Sequence, residues 1–220
     1  MDTVRYLFRH GINAFFDIAT ENARKILPRH LEPLERRHGA SVLSVAAFDF
    51  WESPIGPYRE VVTSIIVAPL VGPGQRLPKA ALYPYQVAVT TRAAREHAIE
   101  RWRLPHWMQD VEIDFAEKTG SISLAVGVQG REVLAMTVTE HDTHAPVEDL
   151  YQVFVEDEGL SDVVMTGRMS EHEAEKGSLV LHEHPFHEAL WRDDVEGRAF
   201  REQWIRDGVE TFHPVRSARI

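Results

Sequence analysis

The chain contains no cysteine. That excludes disulfides, thiolate metal sites and a cysteine nucleophile, and it fits a cytoplasmic protein. Lysine is almost as scarce: Lys25, Lys79, Lys118 and Lys176 are the only lysines among 24 lysine and arginine residues. Chemistry that needs a primary amine in a dry pocket therefore has few candidates, and Lys79 and Lys118 fall in polar, solvated segments. No apolar run approaches the ~20 residues that span a bilayer. Met1-Asp-Thr-Val-Arg5 leads into no long apolar stretch with a cleavage site, so no signal peptide is expected. Basic excess is also missing. The formal net charge is -10, which argues against a nucleic-acid partner. Gly72-Pro-Gly74 lacks the strand–loop–helix context and the lysine of a phosphate loop. No Gly-x-Ser-x-Gly elbow occurs.

What remains is a chain of 220 residues, 44% hydrophobic, long enough for one substantial core. No repeat, low-complexity segment or composition shift divides it, so residues 1–220 are read as a single domain. Thr20 to Leu27 reads as a short helix with Thr20 as its cap and Pro28 beyond its end. Ser41–Phe50, Tyr58–Leu70 and Ala80–Thr90 are apolar and β-prone, separated by the Ser53-Pro-Ile-Gly-Pro57 turn and Gly72-Pro-Gly74. Thr91–Arg103 reads as a capped helix. Val111–Glu117, Ser121–Val128 and Glu132–Thr139 alternate with period two and form a meander. Tyr151–Val155, Val163–Met169 and Gly177–His182 add strands. Phe186–Trp191 begins a short helix, and Glu196–Ile205 is amphipathic and reads as helical. The expected fold is mainly β (α+β): about ten strands with two or three flanking helices, in closed or layered antiparallel sheets that commonly hold a small ligand.

One segment carries more specific information. Glu100-Arg-Trp-Arg-Leu-Pro105-His106-Trp107, with Arg9 upstream and Gly56-Pro-Tyr-Arg-Glu60 between, resembles the active-site run Glu-x-Trp-Gly-[Phe/Tyr]-Pro-Lys-Lys of the acetoacetate decarboxylase family. Asn22-Ala-Arg-Lys25-Ile-Leu-Pro28 is similar to that family's early helix. Gly177 to Leu190 is similar to its late strand and His-Pro turn. Glu100, Trp102 and Pro105 match the motif. The two lysine positions hold His106 and Trp107, and Val45 stands where a second acidic residue falls. In the family the first lysine forms a Schiff base with a ketone, activated by its cationic neighbour. An imidazole has no primary amine and cannot form that iminium. The resemblance implies an acetoacetate decarboxylase-like antiparallel barrel or double sheet around a small-molecule pocket, a homo-oligomer, and no cofactor.

Candidate site residues follow from the resemblance and from the residues together. His106 has a side chain whose ordinary pKa suits proton transfer at neutral pH; locally it reads equally as a polar loop residue, and the resemblance places it over the pocket. Glu60 lies within an apolar strand, either solvent-facing beside Arg59 or buried and able to act as an acid. Arg9 is a surface arginine or an anchor for a substrate carboxylate or enolate. His106, Glu60 and Arg9 are the catalytic candidates. Arg9, Tyr58, Trp107 and Glu100 are the candidates for substrate contact. The clusters His141-Asp142-Thr143-His144 and His182, His184 and His187 could in principle ligate a metal, but neither offers a clear third and fourth ligand, so no metal is expected.

Two functional readings remain open. One is an enzyme acting on a small oxo-acid or enolisable ketone by acid–base chemistry without a Schiff base, of lyase, hydratase/dehydratase, cyclase or isomerase type. The other is a non-catalytic small-molecule binding protein that kept the pocket and lost the chemistry. Convergence of Arg9, Glu60 and His106 on one cavity favours the first, and a wholly apolar pocket the second.

Overall fold

The structure is a computed structural model that describes residues 2–141, 143–156, 158–190 and 194–218. Thirteen strands dominate it. Seven of them close a barrel in the order β1 (Val4–Ala19), β12 (Arg201–Phe212), β10 (Gly159–His172), β9 (Ala145–Val155), β5 (Ala80–Val89), β4 (Tyr58–Val67) and β3 (Ala40–Glu52). Pairing of β1 with β3 completes the ring. Neighbours run antiparallel except β5 and β9, which pair in parallel at Ala80–Leu82 and Tyr151–Val153. A second sheet packs on the barrel in the order β11 (Ser178–Leu181), β8 (Arg131–Thr139), β7 (Ser121–Val128) and β6 (Val111–Lys118). Short β2 (Glu35–Arg37) and β13 (Arg216–Ser217) pair with β3 and β10.

Burial explains the sequence patterns. Strands of the second sheet bury one face, so Ile122, Leu124, Val126 and Val128 alternate with half-buried residues along β7. Part of the barrel wall is covered on both faces, and β3 is accordingly buried without a break from Ser41 to Phe48. Outward residues such as Ile12, Phe16, Ile65 and Trp204 meet Leu124, Leu134 and Met136 of the second sheet in one core. Inward residues such as Phe8, Phe48, Val153 and Met165 form another inside the barrel.

Two expectations need correction. Glu196–Ile205 is not a helix: from Arg201 onward it is β12. Glu202, Gln203, Trp204 and Ile205 are all buried, because this strand has the barrel interior on one side and the second sheet on the other. Its buried polar residues imitate the polar face of a helix. The second is β1, a 16-residue strand absent from the expected elements; Arg5, Arg9, His10 and Asn13 break its apolar pattern.

Both helices are short. In α1 (Thr20–Ile26) Thr20 is not the cap; its hydroxyl meets the Ser41 hydroxyl at 2.9 Å. The expected helix over 91–103 is α2 (Arg92–His97), capped by Thr91 Oγ1 accepting from Ala94 N at 3.2 Å, and it continues as a π-helical turn, Ala98–Trp102. Arg103, with φ +55°, ends it. The expected helix at Phe186 is one 3-10 turn, Pro185–His187, while Trp191 lies outside the described residues. Among the described residues no helix is long and apolar enough to cross a membrane.

Candidate active site

The barrel interior holds a cavity of about 80 Å³. Its walls are largely apolar, formed by Phe48, Val62, Leu82, Val153, Met165 and Ile205. Leu104, just past the π-helical turn, and Phe212 also line it. Beside them Trp102 is buried, its indole N–H donating to the Tyr6 hydroxyl at 2.7 Å, and that hydroxyl also meets His97 Nε2 at 2.8 Å. Trp102 and Phe212 rings lie 4.9 Å apart. Tyr151 and Gln203 line both the cavity and an outer groove that carries Lys79, Phe200 and Arg201. A polar collar stands there. Glu171 accepts from Lys79 (2.9 Å), Arg201 (2.8 Å) and Gln203 (2.6 Å). Burial alone would raise its pKa, but the hydrogen bonds from Lys79 and Gln203 and the nearby positive charges hold it below the usual carboxylate value.

Two carboxyl groups line the cavity: Glu60 of β4 and Glu210 of β12. Glu60 sits between Phe48 on β3 and Val89 on β5. Glu210 sits between Tyr6 on β1 and Met165 on β10. They are 9% and 7% exposed. Among the described residues no hydrogen-bond donor or cation pairs with either one. Burial pushes Glu60 from 4.5 up to about 8. Burial, and then the charge of Glu60, push Glu210 up as well. Desolvation acts this way because it penalises the ionised form of an acid. Among the described residues no lysine, arginine or histidine lines the cavity.

Of the residues singled out in the sequence, Glu60 is therefore in the cavity. Tyr58 lies close by: it is buried, its ring 4.8 Å from that of Phe50, and its phenol is held neutral first by burial and then by the neighbouring acidic groups Glu60, Tyr6 and Glu210. The structure does not bring His106 and Arg9 to the same cavity. In β1 the register with β3 shifts between Phe8 and Gly11. Phe8 packs in the inner core and Gly11 lines the cavity, while Arg9 is turned outward, its side chain 63% exposed and 3.7 Å from Asp49. It shares a surface cleft with His10, Trp51 and Arg206.

His106 belongs to a segment laid beside β5. Val87 N donates to Pro105 O at 3.0 Å and Trp107 N donates to Val87 O at 2.8 Å. His106 Nδ1 is 3.0 Å from Leu104 O. A carbonyl can only accept, so Nδ1 carries the hydrogen and Nε2 is the bare nitrogen. Nε2 is buried with no hydrogen-bond partner among the described residues. Burial lowers the pKa of this imidazole, opposed by the Leu104 hydrogen bond and reinforced by Arg95. Trp107 packs against His184 and Phe186, away from the barrel interior. Glu100 is exposed on the π-helical turn. Val45 faces the apolar layer between barrel and second sheet.

Sequence reasoning missed Glu210. Read as a strand, Gly208-Val-Glu-Thr-Phe212 would have shown a carboxylate and an aromatic sharing one face; the helical reading upstream concealed this. The histidine clusters are engaged within the protein. His184 Nδ1 accepts from Phe186 N at 3.1 Å, His187 Nε2 meets Val133 O at 2.8 Å, and His144 Nδ1 meets Glu140 at 3.0 Å. Asp142 lies outside the described residues. Among the described residues no group of three or more potential ligands is placed to hold a metal.

No family model and no curated protein matches the chain. Solved structures do. Acetoacetate decarboxylase from Legionella pneumophila superposes with a TM-score of 0.62 at 14% identity, over 97% of this chain and 87% of that one. An acetoacetate decarboxylase-like enzyme from Sphingomonas wittichii RW1 gives 0.62 at 12% identity, over 97% and 92%. The enduracididine biosynthesis enzyme MppR complexed with pyruvate gives 0.58 at 16% identity, over 100% and 91%. The chain has the acetoacetate decarboxylase-like fold, as the resemblance around residues 100–107 implies.

Proposed function

We propose that this protein is an acid–base enzyme that enolises a small carbonyl compound inside the barrel, with Glu60 transferring the proton and no iminium intermediate. One observation carries the reading: Glu60 is a buried carboxyl group, unpaired among the described residues, that lines a small cavity, and burial raises its pKa to about 8. A group so poised both holds and releases a proton near neutral pH, which is what general acid–base catalysis requires. The neighbours support a carbonyl group in the substrate and say nothing of its charge here: one is a decarboxylase of acetoacetate and another holds pyruvate, each a ketone. Isomerisation, dehydration and cyclisation through an enol can begin with such a proton transfer, and imine-free decarboxylation and hydration end with one, when the enolate is protonated at carbon.

The test is α-proton exchange. The protein is incubated in deuterated buffer with acetone, butanone, butane-2,3-dione, acetoacetate and pyruvate, and deuterium uptake at the α-carbon is followed by NMR. Uptake above background that falls in E60Q supports the reading. Uptake unchanged in E60Q, or absent for every compound, overturns it. The non-catalytic binding reading is favoured by the apolar character of the remaining wall; binding of a compound, seen as a raised melting temperature, without exchange would select it.

A further inference from the structure

We infer that Glu210 works with Glu60 as one proton-carrying carboxyl pair, and that this pair restricts the site to small uncharged carbonyl compounds and rejects oxo-acid anions. The inference rests on the acid–base reading above and names its second catalytic group and its substrate class.

The placement of Glu210 is built into the barrel. Gln203 and Ile205 line the cavity, and by simple alternation residue 209 would follow them inward. The register with β10 shifts between Thr166 and Arg168, opposite Arg206–Val209. Asp207 has φ +47° there. This bulge moves the inward face by one residue, so Glu210 and Phe212 line the cavity instead. Gly208 is required at the bulge, because a Cβ there would stand 2.2 Å from the Phe8 ring. Without the bulge, Val209 would face inward and the cavity would hold one carboxyl group.

Two carboxyl groups sharing a dry space do not both ionise, because the second charge would face the first with little screening. The pair therefore keeps at least one proton over the neutral range, and its working form is the singly protonated one reached as the first proton leaves. A neutral ketone uses both members at once. The protonated carboxyl hydrogen-bonds the carbonyl oxygen, and the carboxylate faces the α-carbon. The carboxylate takes the α-proton, the C–H electron pair becomes the new C=C bond, and the carbonyl π pair moves onto oxygen. That oxygen takes the proton of the other carboxyl group. The product is a neutral enol, and the pair still holds one proton, now on the opposite partner. Return of a proton to carbon restores the starting state.

Among the described residues the other ionisable groups against this space include the Tyr6, Tyr58 and Tyr151 phenols, on β1, β4 and β9, with His97 and Arg101 of the helical segment behind Tyr6. Burial, first of all, keeps the three phenols neutral. An oxo-acid anion would bring a second negative charge into a space that no cation lines among the described residues, and that is costly in a low-dielectric site. Size adds a limit. At about 10–15 Å³ per water-sized occupant, the cavity of about 80 Å³ takes roughly five to eight heavy atoms.

The experiment combines exchange with titration. In wild type, ¹³C-labelled glutamate side chains are titrated by NMR. Two carboxyl signals are expected to titrate above about pH 6, each biphasic because each senses both proton steps. In E210Q the surviving Glu60 signal becomes monophasic with a lower midpoint. Exchange of butane-2,3-dione falls by about 10²–10⁴ in E60Q and in E210Q, and the double variant is no slower than either. Pyruvate exchange stays at background. Independent monophasic signals in wild type, an E210Q variant with wild-type exchange, or pyruvate exchanged as fast as the dione would overturn the inference. If wild type exchanges no compound, the enzymatic reading fails with it, while the titration still decides whether the two groups share a proton.

Discussion

The indole N–H of Trp102 donates to the hydroxyl of Tyr6 at 2.7 Å. This contact joins the π-helical turn to the first barrel strand. Glu210 lies directly opposite Tyr6 in the β1–β12 ladder, so the clamp and the carboxyl pair share a strand register. Tyr6→Phe leaves the Trp102 N–H buried without its acceptor and removes the partner of His97 Nε2. The expected cost is about 1–3 kcal/mol of unfolding free energy. Urea denaturation checks it. A variant as stable as wild type would show that the clamp does not hold the turn.

Glu60 gives the fold a specific pH dependence. Its pKa is raised in the folded state, from 4.5 to about 8, so the folded chain holds a proton that the unfolded chain releases. This contribution is fully present below the unfolded value and is lost as pH rises from about 4.5 through about 8. Glu210 is shifted in the same direction. Glu171 is shifted the other way and gives up stability as pH falls. Glu60→Gln cannot ionise, so its stability should decline less between pH 5 and 9, by an amount on the order of a few kcal/mol. Chemical denaturation across that range measures it. Parallel curves for both proteins would mean that Glu60 is not desolvated.

Glu202 is the structural counterpart of the cavity carboxyls. It is fully buried yet fully engaged. It accepts from Thr139 N (2.7 Å), Thr139 Oγ1 (2.9 Å), Lys176 N (3.0 Å) and Gly177 N (2.7 Å). These bonds tie β12 to β8 and to the chain entering β11. Glu202→Ala should cost about 2–5 kcal/mol, since several buried donors lose their acceptor together. Gly177→Ala should also destabilise, because its Cβ would stand 2.6 Å from the Glu202 carboxyl group. Thermal melts of both variants check this, and unchanged midpoints would refute it.

Chemistry without an imine predicts that no lysine traps a ketone. Lys79 is tied to Asp149 at 2.8 Å and Glu171 at 2.9 Å at the collar, and is half-buried rather than solvated as its sequence context suggests. Lys118 and Lys176 are exposed, and none of the four lines the cavity. Borohydride treatment with acetylacetone should leave the intact mass unchanged. A stable adduct on any lysine would reject chemistry without an imine.

The fold was legible where burial is uniform along an element. The meander from Val111 to Thr139 alternates because one face is solvated, and Ser41–Phe50 is continuous because neither face is. Legibility failed where polar residues are buried. Glu202 and Gln203 disguised β12, and Arg9 and His10 disguised the bulged β1. The site divides along the same line. Glu60 stood out as a lone carboxylate in an apolar strand, whereas Glu210 sat behind a bulge that resets strand parity, and local sequence does not announce such a bulge.

The bulge in β1 decides what Arg9 is expected to do, and the pairing of residues 105–107 with β5 decides it for His106. Arg9 is solvent-facing with a partner at 3.7 Å, and exposed pairs of this kind contribute little. His106 is held by Leu104 O with its free nitrogen sequestered beside β5. Neither side chain lines the cavity that Glu60 faces, so neither is positioned to exchange a proton with a ligand there. Arg9→Ala and His106→Ala should each change α-proton exchange by less than about tenfold, against the 10²–10⁴ expected of a positioned acid or base. His106→Ala should show its effect in stability instead, through lost packing beside Leu104. Measuring exchange and melting temperature for both variants alongside Glu60→Gln separates the cases. A loss of exchange in His106→Ala as deep as that in Glu60→Gln, at unchanged melting temperature, would return the imidazole to the chemistry and require the barrel to close differently around a bound ligand.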